Sequence, residues 1–281
     1  MTTINKHAIK QRLAEYCRQI GSQNKAAVAL DVSEATVSDI LNEKWERISD
    51  DMWRRIAAAA GYNVRDWNIV ETRGYRRLFG VLSDAQADAQ TFTVTGDAGC
   101  GKSETIRAFA RQYANVITLS CCDFWNLPTF MAELLRAMGV DAAGSTTPEM
   151  MSAIISSLNR RDGALIVLDE ADKLSDRVLY FLITLYNNIE DRVGMVLCST
   201  DYMKMRIERG LQYNRKGYKE ISSRFGRRFI PLQAINADDV AAACRANGVN
   251  DPTAIREIYA DCDNDLRRVK RKVYALKKSI K

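Results

Sequence analysis

Residues Gly96-Asp97-Ala98-Gly99-Cys100-Gly101-Lys102-Ser103 restrict the fold of this chain more than any other stretch. They follow Thr91-Phe92-Thr93-Val94-Thr95, whose β-branched and aromatic residues read as a strand. They precede Glu104-Thr105-Ile106-Arg107-Ala108-Phe109-Ala110, which reads as a helix. A strand that turns through glycines into Lys-Ser and then a helix is a loop built to hold phosphate. Glycine lets backbone N–H groups turn inward around an anion with no Cβ in the way. The first helical turn adds unpaired N–H groups and a partial positive charge. The expectation is a nucleoside triphosphate, ATP, held by Gly96, Asp97, Ala98, Gly99, Cys100, Gly101, Lys102, Ser103 and Glu104. Lys102 is expected at the β- and γ-phosphates, and the Ser103 hydroxyl on Mg²⁺.

From Thr91 onward strand-like and helix-like segments alternate, which predicts an α/β domain with a parallel sheet and helices on both faces. Strands are expected at Thr91–Thr95, Val116–Cys121, Ala164–Asp169, Met195–Thr200 and Phe229–Leu232. Ala164-Leu165-Ile166-Val167-Leu168 is apolar enough to be buried on both sides, and it ends in the carboxylates of Asp169 and Glu170. Asp169, at the strand tip, is placed to hold the water shell of Mg²⁺ beside Ser103. Glu170 is placed to orient or deprotonate an attacking water. An acidic pair in this position points to hydrolysis rather than binding alone.

A chain of 281 residues, 47% hydrophobic and 27% charged, has enough apolar material for two soluble domains. No apolar run is long enough to span a membrane, and the first residues lack the apolar core of a secretory leader. The seven cysteines form no CxxC pair, so reduced thiols in a cytoplasm are expected, without a disulfide framework or zinc site. A net charge of +6 is unevenly spread. Basic residues crowd Lys204 to Arg228 and again Arg267 to Lys281, a distribution suited to a polyanion or to a solvated helix face.

The front of the chain reads as short helices. Ile9, Leu13, Tyr16, Cys17 and Ile20 recur at helical spacing. A helix over Gln23–Leu30, a turn at Asp31-Val32 and a helix over Ser33–Asn42 then make a helix-turn-helix, with Ser33 as a cap. This stretch resembles the Cro/repressor type of DNA-binding domain, with Ala27, Val32, Val37 and Ile40 at the apolar positions. The resemblance puts Ser33, Ala35, Ser38 and Asn42 on the face toward DNA. Asp31 departs from the glycine usual at the turn, and the carboxylates of Glu34 and Asp39 would repel phosphate. Domain boundaries are therefore expected at 1–66 for a helix-turn-helix domain, 72–235 for the nucleotide-binding domain and 236–281 for a helical lid. A short linker around Asn63–Thr72 joins the first two.

With the phosphate loop and the acidic pair in place, the second part resembles the AAA+ ATPases. The resemblance implies a polar sensor at the tip of the fourth strand, here Ser199 or Thr200, with Thr200 taken as the candidate. It implies an arginine finger in Ser222-Ser223-Arg224-Phe225-Gly226-Arg227-Arg228, with Arg224 the choice and Arg227 in reserve, reaching a neighbouring subunit's nucleotide. It implies a second sensor arginine at Arg267, where the third lid helix opens. In domain order and length the chain is similar to the MuB-like family of transposition target-DNA activators (MuB, TnsC, IstB). That likeness implies a homo-oligomeric filament or ring on double-stranded DNA, recruitment of a DDE-type transposase, and disassembly on hydrolysis. Loops at the inner surface of such an assembly would offer Lys173, Arg177, Lys204 and Arg206 to phosphate. Three rivals share these motifs: a helicase loader of the DnaC/IstB type, an ATP-responsive transcription regulator, and a remodelling ATPase whose front domain is a protein adaptor.

Overall fold

The computed structural model describes residues 6–60 and 67–279, and the side chains of all of these but residue 279. Gly61, a helix-stop signal in the sequence, the domain boundary expected at 66 and the first part of the linker lie outside the described residues. Contacts divide the chain into two compact units, Met1–Asn68 with Arg245–Val249, and Ile69–Cys244 with Asn250–Lys281.

The first unit holds helices α1 (Lys6–Ile20), α2 (Gln23–Ala29), α3 (Glu34–Leu41) and α4 (Asp50–Ala59). Ile9, Leu13 and Cys17 recur every four residues, so one face of α1 is apolar and buried. That face packs with Ala26 and Ala27, with Val37 and Ile40, and with Trp53 and Ile56. The hydroxyls of Ser22, Ser33 and Ser49 accept from the N–H groups of Lys25, Thr36 and Met52, which caps α2, α3 and α4. Between α2 and α3 the chain turns through Asp31 at φ +52°, the left-handed conformation that the missing glycine would have taken without strain.

In the second unit α5 (Arg73–Ala87) leads into β1 (Thr91–Thr95), α6 (Lys102–Gln112), β2 (Val116–Ser120), α7 (Leu127–Ala137) and α8 (Thr147–Asn159). There follow β3 (Ala164–Asp169), α9 (Asp176–Ile189), β4 (Val193–Ser199), α10 (Asp201–Gln212), α11 (Tyr218–Ile221) and β5 (Phe229–Pro231). Helices α12 (Ala237–Ala246), α13 (Pro252–Asp261) and α14 (Leu266–Ser279) complete the chain. The five strands pair in parallel in the order β2-β3-β4-β1-β5. β4 begins two residues before the expected Met195 and ends at Ser199, with Thr200, extended just beyond it, capping α10. Cys121 and Leu232, expected within strands, lie just beyond them, each still donating one sheet-like backbone bond, to Asp169 and Thr95.

Alternation sorts the strand residues onto two faces. Ile117, Leu119, Ile166, Leu168, Met195 and Leu197 pack beneath residues of α7, α8 and α9. Leu165, Val167, Val196, Cys198 and Val94 pack against Leu78, Val81 and Leu82 of α5 and Ile106 and Phe109 of α6. Helix α5 lies so close to β4 that a Cβ at Gly194 would meet the Ala85 carbonyl oxygen at 2.1 Å. All six residues of β3 are buried. With each large aliphatic side chain worth roughly 1.5–3 kcal/mol when buried, this strand is a firm mount for the carboxylates at its tip.

Candidate active site

Because all five strands run the same way, their C-terminal ends share one edge of the sheet, and the loops that follow them build the site. The phosphate loop leaves β1 with the Gly96 N–H bonded to the Ser199 carbonyl at 3.2 Å. Gly99 and Gly101 take φ of +82° and +101°, conformations that L side chains rarely adopt. Lys102 heads α6, and its ammonium donates to the carbonyls of Gly96 at 2.6 Å and Asp97 at 3.0 Å. That bends the side chain back over the mouth of the loop. The Ser103 hydroxyl donates to Asp169 Oδ2 at 2.5 Å, joining the loop to the tip of β3.

Asp169 is only 6% exposed, and its other carboxylate oxygen accepts the Glu170 N–H at 3.0 Å. Glu170 itself sits at φ +56°, a strained backbone for a residue with a Cβ. The turn lifts its side chain out of the strand into a half-exposed position. There Lys173 holds it, Nζ to Oε2 at 2.6 Å, and this hydrogen bond pushes the lysine's pKa up. Ser103 and Asp169 supply two hard oxygens, and no cluster of three or more His, Cys, Asp or Glu suited to a metal occurs among the described residues. A hydroxyl and a carboxylate beside a phosphate loop fit Mg²⁺, which takes few protein ligands and shares the rest with phosphate and water.

β4 ends beside β3 with Leu197 level with Leu168. Cys198 is therefore the residue level with Asp169. Thr200, still extended at φ −86° and ψ 175°, continues the face of Val196 and Cys198, on which α6 packs. Ser199 turns to the opposite face, where its hydroxyl is buried without a partner. The Thr200 hydroxyl donates to Asp172 Oδ2 at 2.8 Å. Burial pushes the thiols of Cys121 and Cys198 up.

The start of α14 rests on the phosphate loop. The Leu266 N–H donates to the Gly99 carbonyl at 3.0 Å, and a Cβ on Gly99 would meet Asp265 Oδ1 at 1.9 Å. Asp265 also accepts the Arg267 N–H at 2.7 Å, leaving the Arg267 side chain exposed one residue beyond the loop contact. At the other flank the carboxylate of Asp239, on α12, accepts the Arg73 N–H at 3.0 Å and so fixes the start of α5. The fold thus brings Lys102, Ser103, Asp169, Glu170, Thr200 and the root of Arg267 to one edge of one sheet.

An AAA domain family matches residues 85–206, a stretch that contains the phosphate loop, the acidic pair and Thr200. The chain is 27% identical over 257 residues to the Mu-like prophage FluMu DNA transposition protein B of Haemophilus influenzae, covering 89% of this chain and 86% of that protein. It is 26% identical over 245 residues to the ATP-dependent target DNA activator B of Escherichia phage Mu, covering 83% of this chain and 76% of that protein. The chain carries an AAA ATPase domain and is similar along most of its length to these transposition proteins. Among solved structures, the Aeropyrum pernix ORC1 protein in complex with DNA matches with a TM-score of 0.53 at 19% identity, over 78% of this chain and 67% of that one. At that identity the match speaks for the AAA+ fold alone. No helix among the described residues is long and apolar enough to cross a membrane.

Arg224 of this ATPase stands away from its own phosphate loop. It lies on a π-helical turn, Ser222–Gly226, donating to Asn187 Oδ1 at 3.0 Å with its guanidinium 5.7 Å from the Tyr186 ring centroid. Tyr186 and Asn187 are near the C-terminal end of α9, which runs back from the site edge of the sheet toward the opposite edge. In the first unit, Ala35 on α3 and Asn42 at its C-terminal cap are exposed, Ser38 is half-buried and accepts from Asn42, and the Ser33 hydroxyl is occupied as the N-terminal cap. Arg177 is exposed, and Lys204 lies 4.0 Å from Glu208 on the surface of α10.

Arg206 is a correction. It was expected to meet DNA phosphate, yet its side chain is only 15% exposed and its guanidinium is spent inside the protein. It pairs with Asp176 and donates to the Leu174 carbonyl at 2.6 Å and the Tyr218 hydroxyl at 3.3 Å. A basic residue in a charged helix looks solvated in sequence, and only the packing of α10 against the loop before α9 turns this one inward. Burial would raise the Asp176 carboxyl, but the hydrogen bonds from Arg206 and Tyr218 outweigh it and hold it below its usual range. Arg206→Met is expected to lower stability by about 2 kcal/mol in urea denaturation at neutral pH. Because the folded pKa of Asp176 is depressed, the contribution is present above the unfolded carboxylate value near ~3.9 and is lost as pH falls through the folded one. The gap between variant and wild type should therefore close in acid. Asp172, Asp176 and Asp265 were not singled out from sequence. Asp265 has the look of a helix cap, but nothing local shows that the helix it caps lands on Gly99.

Proposed function

We propose that this ATPase assembles on double-stranded DNA while ATP is bound, presents that DNA to a transposase, and leaves it when ATP is hydrolysed. The reading rests on the similarity, over 83% or more of the chain, to proteins named for ATP-dependent activation of target DNA and for transposition. The geometry adds one supporting observation: the site gathers a phosphate loop and an acidic pair but leaves Arg224 at a distance, so a second copy would supply the missing cation. The DDE type of the transposase and the filament or ring form follow from the family resemblance.

In this reading Gly96 to Glu104 cradle the phosphates and Lys102 turns from the carbonyls of Gly96 and Asp97 to the β- and γ-oxygens. Ser103 and Asp169 hold Mg²⁺, which when bound neutralises charge on those oxygens. Glu170 orients the attacking water, Thr200 senses the γ-phosphate or that water, and Arg267 reports nucleotide state to the lid. The units 1–66, 72–235 and 236–281 act as DNA-binding domain, motor and lid. Ser33, Ala35, Ser38 and Asn42 of the first, with Lys173, Arg177 and Lys204 of the second, meet DNA mostly through its backbone. Binding is then weak in sequence preference and falls steeply with salt.

Electron microscopy with ATP, Mg²⁺ and plasmid DNA tests the proposal. The expected image is DNA continuously coated by protein, lost when ATP is replaced by ADP. Bare DNA beside isolated monomers overturns it, and a discrete footprint at one sequence favours a transcription regulator.

A further inference from the structure

Two other elements set the place of Arg224, the arginine expected to reach a neighbouring subunit. It lies on the π-helical turn Ser222–Gly226, which follows α11. Beneath that turn runs β1. Thr93, in the middle of the strand, is 2% exposed, and its hydroxyl donates to the Phe225 carbonyl at 2.5 Å. Beside the turn stands the C-terminal end of α9, where Asn187 Oδ1 accepts the Arg224 Nε–H at 3.0 Å. The Tyr186 ring lies 5.7 Å from the guanidinium and meets the Phe225 ring edge-on, with centroids 6.1 Å apart. Arg224 Nη1 also donates to the Glu220 carbonyl at 3.5 Å. Nη2 keeps both of its N–H groups uncommitted among the described residues. Arg224 is half-buried, whereas Arg227 and Arg228, just beyond the turn, are exposed.

We propose that Thr93 and Asn187 are positioning residues that aim Arg224 at the nucleotide of a neighbouring subunit: Thr93 pins the backbone of the turn, and Asn187 the guanidinium. The inference rests on the reading of Arg224 as an arginine lent to a neighbour. Three physical points carry it. Valine would fill the place of Thr93 in a strand equally well, so what the hydroxyl adds is its bond to Phe225, which ties a rare form of turn to the sheet. A guanidinium is a planar fork, and tying its Nε edge to Asn187 leaves the Nη2 pair of donors facing outward for a phosphoryl group. Finally, Thr93 lies three residues before Gly96, so one strand seats the subunit's own phosphate loop and mounts the arginine it lends. Donors held in place beforehand stabilise building charge best, and a misplacement of about 1 Å costs about a hundred-fold in rate.

The test measures kcat and equilibrium ATP affinity for Thr93→Val, Thr93→Ser and Asn187→Ala, with Arg224→Ala as the reference. Each is assayed alone and mixed with Glu170→Gln subunits. Valine keeps the shape and removes the donor, and serine keeps the donor. Thr93→Val is expected to lower kcat about ten- to a hundred-fold with ATP affinity unchanged, while Thr93→Ser stays near wild type. In an equal mixture with Glu170→Gln, about half of the Thr93→Val sites meet a well-mounted arginine, so the rate per Thr93→Val chain should rise about five-fold or more. Asn187→Ala, a change at the surface, should show the same pattern on a smaller scale, and it decides the matter should Thr93→Val fail to fold. A merely structural hydroxyl would weaken ATP binding through β1, or lower a rate that mixing does not restore. Either result overturns the proposal, as does wild-type turnover in a folded Thr93→Val or in Asn187→Ala. Wild-type turnover in Arg224→Ala sinks the arginine reading and the mount with it. A loss in Arg224→Ala that mixing restores, beside a loss in Thr93→Val that it does not, sinks the mount alone.

Discussion

Glu170→Gln should cut ATP turnover by about 10²–10⁴-fold, the range expected when a positioned general base is lost. ATP binding should survive, because the loop, Lys102 and the Ser103–Asp169 pair are untouched by the change. Glutamine keeps the size of the side chain and one carbonyl acceptor, but it cannot draw a proton from water at neutral pH. The left-handed turn at Glu170 is set by the backbone at the tip of β3, so the substitution leaves the fold in place. If hydrolysis takes the assembly apart, the variant should persist on DNA with ATP bound, read as coated plasmid that does not clear with time. A variant that turns over ATP at the wild-type rate would remove Glu170 from the chemistry. One that loses DNA binding would reverse the proposed order of events.

Arg224→Ala should be as severe, with turnover lower by about 10³–10⁵-fold, because an arginine delivered to the transferring phosphoryl group meets charge that builds only in the transition state. In the proposed assembly, its place on the π-helical turn beside Asn187 and Tyr186, apart from its own loop, makes the expected loss a property of the neighbour's site. A mixing experiment separates this from damage within one chain. Arg224→Ala subunits keep Glu170, and Glu170→Gln subunits keep Arg224. In a head-to-tail assembly of equal parts, about one interface in four then joins an intact acidic pair to an intact arginine. Two inactive preparations should regain activity on mixing. If they stay inactive at all ratios, Arg224 serves its own subunit. ATP affinity measured on Arg224→Ala alone should be near wild type.

The phosphate loop was legible because its chemistry is local: eight consecutive residues, a strand before and a helix after. The β3 tip was legible for a similar reason, since a run of five apolar residues has no place but a buried strand, and carboxylates that end it must emerge at an edge. The faces taken by Ser199 and Thr200 were a different matter. The residues are adjacent, both are polar, and only the register of β4 on β3 decides which one continues the face toward α6. Arg206 failed for the same kind of reason. Its fate depends on Asp176 and Tyr218, thirty and twelve positions away, and a helix rich in charge gives no sign of which charge turns inward.

The sequence by itself determined that this chain holds a phosphate loop and an acidic pair on a parallel sheet, because hydrophobic alternation and glycine backbone freedom act over a few neighbouring residues. Only the tertiary structure decided that Ser103 bonds Asp169, that α14 begins against Gly99, and that Arg224 lies beside Asn187, away from its own phosphate loop. Those contacts join residues that are distant along the chain, and their geometry is fixed by how helices pack on a twisted sheet. The pair between Glu170 and Lys173 lies between the two cases. Its spacing was in the sequence all along, but it took the left-handed turn at the end of β3 to aim one charge at the other.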